Sequence, residues 1–236
     1  MTAPPDPAPS MQAEERGAAL ALLPIAATLA YYALPEWVQA QRLVQFVPQL
    51  IAYLGLALWA WRNTAIATRV GLQRSQWSAG VKLGVVMGLL LGGFNAFVVL
   101  HLVPFLGWDI TFLKHTPHAR VPVLMMVPWF IMGIALLVEL NFRGFVLGRL
   151  AALEATLWSI EPLRRLPPLA LVTSALVFAF DPFMVVTFRH LHWIAVWDGL
   201  IWGFFWLLTR NLYVPIVAHA VEVIVVYSAV RSVLMS

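Results

Sequence analysis

Two pairs of ionisable residues fall inside strongly apolar stretches of the sequence. Glu139 and Arg143 lie four residues apart in LLVELNFRGFVLGRL, and His219 and Glu222 lie three residues apart in LYVPIVAHAVEVIVVY. On a helix, both spacings place the two side chains on one face. The first pair predicts an internal ion pair. The second sets a carboxylate beside an imidazole, which fixes the imidazole tautomer and suits acid–base chemistry.

Two aspartates accompany these pairs. Asp181 lies directly before a proline in SALVFAFDPF, and Asp198 lies in HWIAVWDGLIWGFFW. A charge at the centre of a bilayer costs several kcal/mol unless it is paired or solvated, so ionisable residues in apolar segments are functional candidates. We predict that Asp181 joins Arg143 and His219 in a polar pocket. For Asp198 we expect a solvated helix end at the membrane interface.

The same side chains include ligand types that a divalent metal accepts, namely carboxylates and an imidazole. The residues concerned are Glu139, Asp181, His219 and Glu222. Carboxylates from separate helices also converge simply to be solvated and to pair with an arginine such as Arg143. We therefore predict no metal site, and the sequence leaves any cofactor undetermined.

The elements that position these residues are membrane helices. Of the 236 residues, 61% are hydrophobic and 11% are charged, whereas a soluble domain has about 45–50% and about 25%. A soluble globule of this size cannot hide so much apolar surface. Cysteine is absent, which excludes a disulfide framework. The net charge of +4 is attributed to loop arginines and lysines, not to nucleic-acid binding.

The fold class predicted is all-α, a polytopic integral membrane helical bundle with about seven transmembrane helices. Residues 1–16 are rich in proline and are predicted to form a disordered N-terminal tail. Residues 17–236 then form one transmembrane domain. The predicted spans share about 20 mostly apolar residues, and they are 17–34, 43–61, 81–105, 121–147, 168–186, 193–209 and 212–233.

Loop charge sets the expected orientation. Lysine and arginine are more frequent on the side that holds the N-terminus than on the opposite side, and this bias marks the cytoplasmic face. We therefore predict an integral protein of a bacterial inner membrane with its N-terminus in the cytoplasm.

From about residue 121 to residue 236, the chain resembles the CAAX protease and bacteriocin-processing family of intramembrane proteins. The likeness rests on ELNFRGFVLGRL, SALVFAFDPF and GLIWGFFWLLTRNLYVPIVAHAV. The family pattern has two adjacent glutamates, three further residues and an arginine, then F-x-x-x-H, and finally H-x-x-x-N or D. The resemblance implies an endopeptidase, metal-independent or metal-assisted. Its first glutamate activates water with the help of the first histidine, and the last histidine and asparagine stabilise an oxyanion.

The sequence departs from that pattern at three of the four positions to which the family assigns chemistry. His219 matches the last histidine, while Glu139 and Arg143 match the second glutamate and the arginine. The three remaining positions hold residues with no exchangeable side-chain proton: Val138, Pro182 and Val223. The orthodox family mechanism is therefore not expected.

Three functions follow as hypotheses. The first is a catalytically degenerate pseudoenzyme that serves as a binding or scaffold subunit for other membrane proteins, lipid or a planar cofactor. The alternative is an active intramembrane endopeptidase that uses a shifted catalytic set of Glu139, His219 and Glu222. The third is an ion- or proton-coupled carrier, because intramembrane carboxylates with an arginine can relay protons.

Overall fold

The computed structural model describes residues 15–116, 119, 121–158, 160–161 and 166–234. Within these ranges the regular structure is helical throughout. The N-terminal part has three main helices, α1 (Leu22–Tyr32), α2 (Val47–Arg62) and α3 (Trp77–Phe97). Helix α3 runs on through wider π-type turns at Val98–Leu102 into Val103–Phe105. Short helices and turns connect these elements: Ala18–Ala21, Glu36–Gln39, Arg42–Gln45, Ile66–Val70 and Arg74–Gln76.

The C-terminal part follows a short turn at Thr111–His115. The long helix α4 (Leu124–Glu154) contains two stretches of π-type turns, Trp129–Ala135 and Leu140–Leu147. The elements after α4 are α5 (Pro168–Ala179), α6 (Pro182–Phe188), a turn at Arg189–Leu191, α7 (Ile194–Thr209) and α8 (Tyr213–Leu234).

Three stretches among the described residues are long and apolar enough to cross a membrane. They are Ile66–Phe105, which contains α3, and the helices α4 and α8. A fourth span results if α5 and the following Pro182–Leu191 are counted as one broken span, bent by 53°. Ala18–Tyr32 and Ile194–Thr209 are shorter apolar helices. The regular structure of the described residues is thus helical, with three or four candidate membrane spans, and the number of seven spans stays a prediction.

Helices α3 and α8 lie unusually close to each other because glycines line the contact. A Cβ atom added at Gly88 would lie 2.6 Å from the Ala218 carbonyl oxygen and 2.7 Å from the Val221 Cβ. Gly84 and Gly92 meet α8 in the same way, one turn before and one turn after. Small residues at such spacing let two membrane helices approach closely. Because of this close packing, Asn95 on the next turn of α3 lies beside α8.

The break between α5 and α6 has a local cause. Asp181 caps α6 by accepting a hydrogen bond from the Phe183 backbone N–H at 3.0 Å. Pro182 follows as the first residue of α6, where its missing N–H costs nothing. The residue before a proline is also kept out of helical geometry. The predicted span 168–186 is therefore two helices and not one.

The first described residues are attached to the bundle. Glu15 forms an ion pair with Arg149 and accepts a hydrogen bond from Trp59 Nε1 at 2.9 Å. The Arg16 backbone N–H donates to Asn63 Oδ1 at 2.9 Å. Residues 1–14 of the predicted tail lie outside the described residues. Glu15 and Arg16, which the sequence placed in that tail, are instead bound to the folded domain.

Candidate functional site

Glu139 is the centre of a buried polar triad. Its Oε1 accepts a hydrogen bond from Arg143 Nη1 at 3.1 Å, one helical turn further along α4. The same oxygen lies 2.7 Å from Nδ1 of His219 on α8. The Glu139 side chain is fully buried. With an ionised carboxylate as acceptor, Nδ1 carries the hydrogen and Nε2 is left at the other edge of the imidazole.

Aromatic rings enclose the cation of this triad. The Arg143 guanidinium carbon lies 4.5 Å from the centre of the Phe178 ring and 5.1 Å from that of Trp202. His219 stacks on Trp202 with ring centres 4.5 Å apart. A cation over an aromatic face is attracted by the ring quadrupole, most strongly where water is excluded. The rings of Phe178 and Trp202 therefore cover the Arg143 guanidinium, and Trp202 also covers one face of His219.

A second polar cluster joins α3, α7 and α8. Asn95 Nδ2 donates toward Asp198 Oδ1 at 3.0 Å and toward Glu222 Oε1 at 2.6 Å. Trp197 Nε1 donates to Asn95 Oδ1 at 3.0 Å, so the amide must present its NH₂ group to the two carboxylates. Asp198 is 5% exposed and Glu222 is equally buried. The expectation that Asp198 lies at a solvated helix end is wrong, because α3 covers it.

One elongated cavity of about 430 Å³ adjoins both clusters. The two clusters contribute four polar residues to its wall, and six more come from elsewhere: Asn95, Asp198, His219 and Glu222, then Gln49, Tyr53, Lys114, Thr116, Tyr227 and Arg231. Most of the remaining wall is apolar and aromatic, including Phe142, Phe178, Val226 and Val230. A mainly apolar cleft with a few convergent polar groups is the usual form of a ligand site in this size range.

Two of the three positions at which the sequence was expected to depart from the family pattern lie in the wall of this cavity. Val138 and Val223 are both in its wall. Pro182 starts helix α6. Val138 and Val223 thus contribute aliphatic side chains to the wall, and His219 contributes a polar one.

Asp181 does not join the triad in the way that the sequence predicted. Its hydrogen-bond donors include Gln49 Nε2 and the Phe183 N–H, each at 3.0 Å. Gln49 and Phe183 are both wall residues of the cavity, so Asp181 is linked to the wall through these two residues. The predicted polar pocket is thus divided: Arg143 and His219 belong with Glu139, and Asp181 belongs with Gln49.

The members of the shifted catalytic set lie in two clusters. Glu139 and His219 are hydrogen-bonded to each other, while Glu222 is bonded to Asn95 on the other polar part of the wall. No group of three or more histidines, aspartates and glutamates suited to hold a metal ion occurs within the described ranges.

Three residues of the site were not predicted from the sequence: Asn95, Gln49 and Trp202. Asn95 had a usable signal, since it is an amide inside the apolar stretch GLLLGGFNAFVVL. Polar side chains at membrane depth are rarely oriented toward lipid and usually meet a partner. Gln49 and Trp202 had no such signal, because glutamine near a helix start and tryptophan in a membrane helix are ordinary.

Comparison with known proteins agrees with the family resemblance. Residues 120–225 match the family described as Type II CAAX prenyl endopeptidase Rce1-like. The matched stretch runs from just before α4 into α8 and carries Glu139, Arg143, Asp198, His219 and Glu222. No curated protein and no solved structure matches the chain.

Proposed function

We propose that this membrane protein, whose residues 120–225 match the Rce1-like family, is a catalytically inactive relative of the prenyl endopeptidases. It binds a lipid chain, or an apolar segment of a membrane partner, in the cavity without cleaving it. In this role it serves as a binding or scaffold subunit in the membrane. The observation that carries the proposal is Val138, a cavity-wall residue at the position of the family's first glutamate.

The chemistry of peptide hydrolysis explains why this substitution matters. Cleavage requires a base that activates water and donors that stabilise the oxyanion. Val138 and Val223 have neither a base nor a donor in their side chains. The neighbouring carboxylate of Glu139 is fully buried and already accepts from Arg143 and His219. The ligand-binding wall is thus retained while the catalytic groups are absent.

A cleavage assay tests this proposal. The purified protein is reconstituted in liposomes and given a farnesylated CAAX peptide, together with a photoreactive prenyl analogue. We expect no peptide hydrolysis, but crosslinking of the analogue that unlabelled prenyl peptide competes away. Val223→Phe, which fills part of the cavity, should abolish the crosslink. Hydrolysis by the wild type that disappears in His219→Ala would refute the inactive assignment.

An active endopeptidase is the second candidate, and the Glu139–His219 hydrogen bond is the observation that favours it. A carboxylate that orients an imidazole is the arrangement in which histidine acts as a general base. In this alternative, His219 activates water in the cavity and Glu222 supplies the second polar group. Hydrolysis that is lost in both Glu139→Gln and His219→Ala, with folding intact, would establish it over the binding role.

A second part of the proposal concerns the arrangement of the helices in the membrane. We propose that the shorter helices also lie in the bilayer, for a total of seven spans, with the N-terminus in the cytoplasm of a bacterial inner membrane. Large apolar side chains on α1, α2 and α7 support this, since Leu29, Leu54 and Leu208 are all more than half exposed. Accessibility of cysteines introduced at Glu36 and Lys114 to an impermeant maleimide in intact cells tests the orientation.

A further inference from the structure

Lys114 and Arg231 are cationic residues in the wall of the cavity. Lys114 lies on the turn Thr111–His115, which packs against α8, and Arg231 lies near the C-terminal end of α8. Within the described ranges, no carboxylate lies within ion-pair distance of either side chain. A cleft with positive charge of this kind at one end and apolar walls beyond attracts an anion to that end.

The Arg231 guanidinium is held by the protein and does not simply extend to the lipid headgroups. Its Nη1 donates to the Ala119 carbonyl oxygen at 3.0 Å and to Tyr227 Oη at 2.9 Å. Tyr227 Oη in turn donates to the Val121 carbonyl oxygen at 2.9 Å. Both hydrogens of Nη1 are thus used. The edge formed by Nε and Nη2 has no acceptor among the described residues, and this edge can bind both oxygens of a planar carboxylate.

The cavity continues from these cations toward the middle of α8. His219, another wall residue, lies 12 residues before Arg231, which is about 18 Å along a helix. Val223, Val226 and Val230 line the wall between them. A cavity of about 430 Å³ that extends over this length has the width of a single hydrocarbon chain.

The carboxyl groups in the wall lie further in and determine which way a charged ligand is oriented. Glu222 is nine residues from Arg231 on α8, about 13 Å along the axis. Asp198 hydrogen-bonds to Glu222 and to Asn95, and the charge of Arg143 attracts both acids. Negative charge is therefore disfavoured in the inner part of the cavity and favoured beside Lys114 and Arg231.

On the basis of the binding role proposed above, we infer that the cavity holds a long-chain fatty acid. Its carboxylate pairs with Arg231 and Lys114, and its single hydrocarbon chain extends along the valines of α8 toward His219. Charge-assisted, two-pronged hydrogen bonds to guanidinium are among the strong ones. A fatty alcohol of the same length lacks the charge, and a quaternary ammonium brings a charge of the wrong sign.

Equilibrium binding to nanodiscs of uncharged phosphatidylcholine tests the inference. Radiolabelled myristic acid is measured at alkaline pH, where the acid is ionised, and empty nanodiscs are subtracted. We expect the acid to bind about tenfold more tightly than myristyl alcohol, and tetradecyltrimethylammonium not to compete. Equal affinity of the acid and the alcohol would overturn the inference. Tighter binding of myristoyl lysophosphatidic acid would also overturn it, in favour of a lipid phosphate.

Variants locate the headgroup. Lys114→Gln and Arg231→Gln should each weaken binding of the acid about tenfold and leave binding of the alcohol unchanged. Arg42→Gln, at an exposed arginine that starts a short helix, is the matched control and should bind like the wild type. The exposed Lys114 side chain carries the test if Arg231→Gln does not fold. Acid binding that is unchanged in both cavity variants would show that these cations do not hold the carboxylate.

Crosslinking determines the direction of the chain. Myristic acid with a diazirine at its terminal carbon should label the inner wall, at Trp202 and Val223, when the peptides are analysed by mass spectrometry. A diazirine next to the carboxylate should label Leu113 and Val230 instead. The reverse pattern would place the headgroup at the inner end and would contradict the inference.

The outcome is separable from that of the proposed function. Loss of the preference for the acid would refute this inference while crosslinking of the prenyl analogue stood. Peptide hydrolysis would refute the inactive assignment without altering the headgroup preference. Absence of binding by the acid, the alcohol and the prenyl analogue alike would refute the lipid-binding role itself.

Discussion

Glu139 Oε1 and His219 Nδ1 lie 2.7 Å apart, although 80 residues separate them in the chain. This hydrogen bond ties the middle of α4 to α8, and the Arg143 guanidinium bonds to the same oxygen. One carboxylate oxygen thus accepts hydrogen bonds from a guanidinium and from an imidazole. Through the second bond it links two membrane helices. It also sets the imidazole edge that lies at the cavity.

Arg143→Ala should be less destabilising when Glu139 is changed as well. The single substitution leaves a buried carboxylate without its cation, which costs about 3–5 kcal/mol. The double variant Glu139→Gln, Arg143→Ala removes both charges and should lose less. Reversible unfolding in mixed micelles, followed by helical circular dichroism, measures the difference. Equal stability of the single and double variants would show that Arg143 is stabilised by some other partner.

Gly88→Ala should separate α3 from α8. The added methyl group would lie 2.6 Å from the Ala218 carbonyl oxygen, so the helices must shift. Overpacking of this kind costs about 1–3 kcal/mol. The thermal midpoint of the purified protein should fall accordingly. Gly93→Ala is the control on the same helix, because its added methyl group would have no neighbouring side chain or other helix within 4 Å, and it should leave the midpoint unchanged.

Glu15→Gln should loosen the start of the chain. The substitution weakens the ion pair with Arg149, which is 4% exposed and keeps its charge. Loss of a buried charge partner of this kind costs about 1–3 kcal/mol. We expect faster cleavage near residue 15 in limited proteolysis, whereas Glu36→Gln should behave like the wild type. An unchanged cleavage rate would mean that the Trp59 and Asn63 contacts suffice.

Val138→Glu should not restore peptide hydrolysis. The new carboxylate would lie at the cavity wall, but Pro182 and Val223 still supply no assisting histidine and no oxyanion donor. Assay of farnesylated CAAX peptide in liposomes should give the same background as the wild type. Detectable turnover by this single variant would show that His219, Asp198 and Glu222 already form a competent site.

Local spacing predicted the Glu139–Arg143 pair, but it did not predict that His219 and Glu222, three residues apart on α8, bond to residues of two other helices. The four-residue step from Glu139 to Arg143 places both on one face, and the structure pairs them. The partner of Glu139 on α8 and the partners of Asp198 depend on how helices pack. That packing is set by the glycines of α3, and a helix that is apolar on every side shows no periodicity that would reveal it. Asp198 was misplaced because its neighbours in sequence resemble a membrane interface, whereas Asn95 comes from a distant helix.

The bend after α5 was also hidden in the sequence. Asp181 and Pro182 interrupt the apolar run, and a proline in a membrane helix often produces only a kink. The full break depends on Asp181 capping α6 while Gln49 of α2 binds the same carboxylate oxygen. The second of these contacts exists only in the folded chain.

The enclosure of Arg143 restricts how this sequence can change over time. Arginine stays protonated in a protein, and here its side chain is buried. A single substitution of either Glu139 or Arg143 leaves the other charge stranded, so the two positions can be replaced only together. Residues that hydrolysis needs can be lost one at a time, but this pair cannot. A protein that has lost peptide hydrolysis would therefore still keep the glutamate and the arginine found in its active relatives.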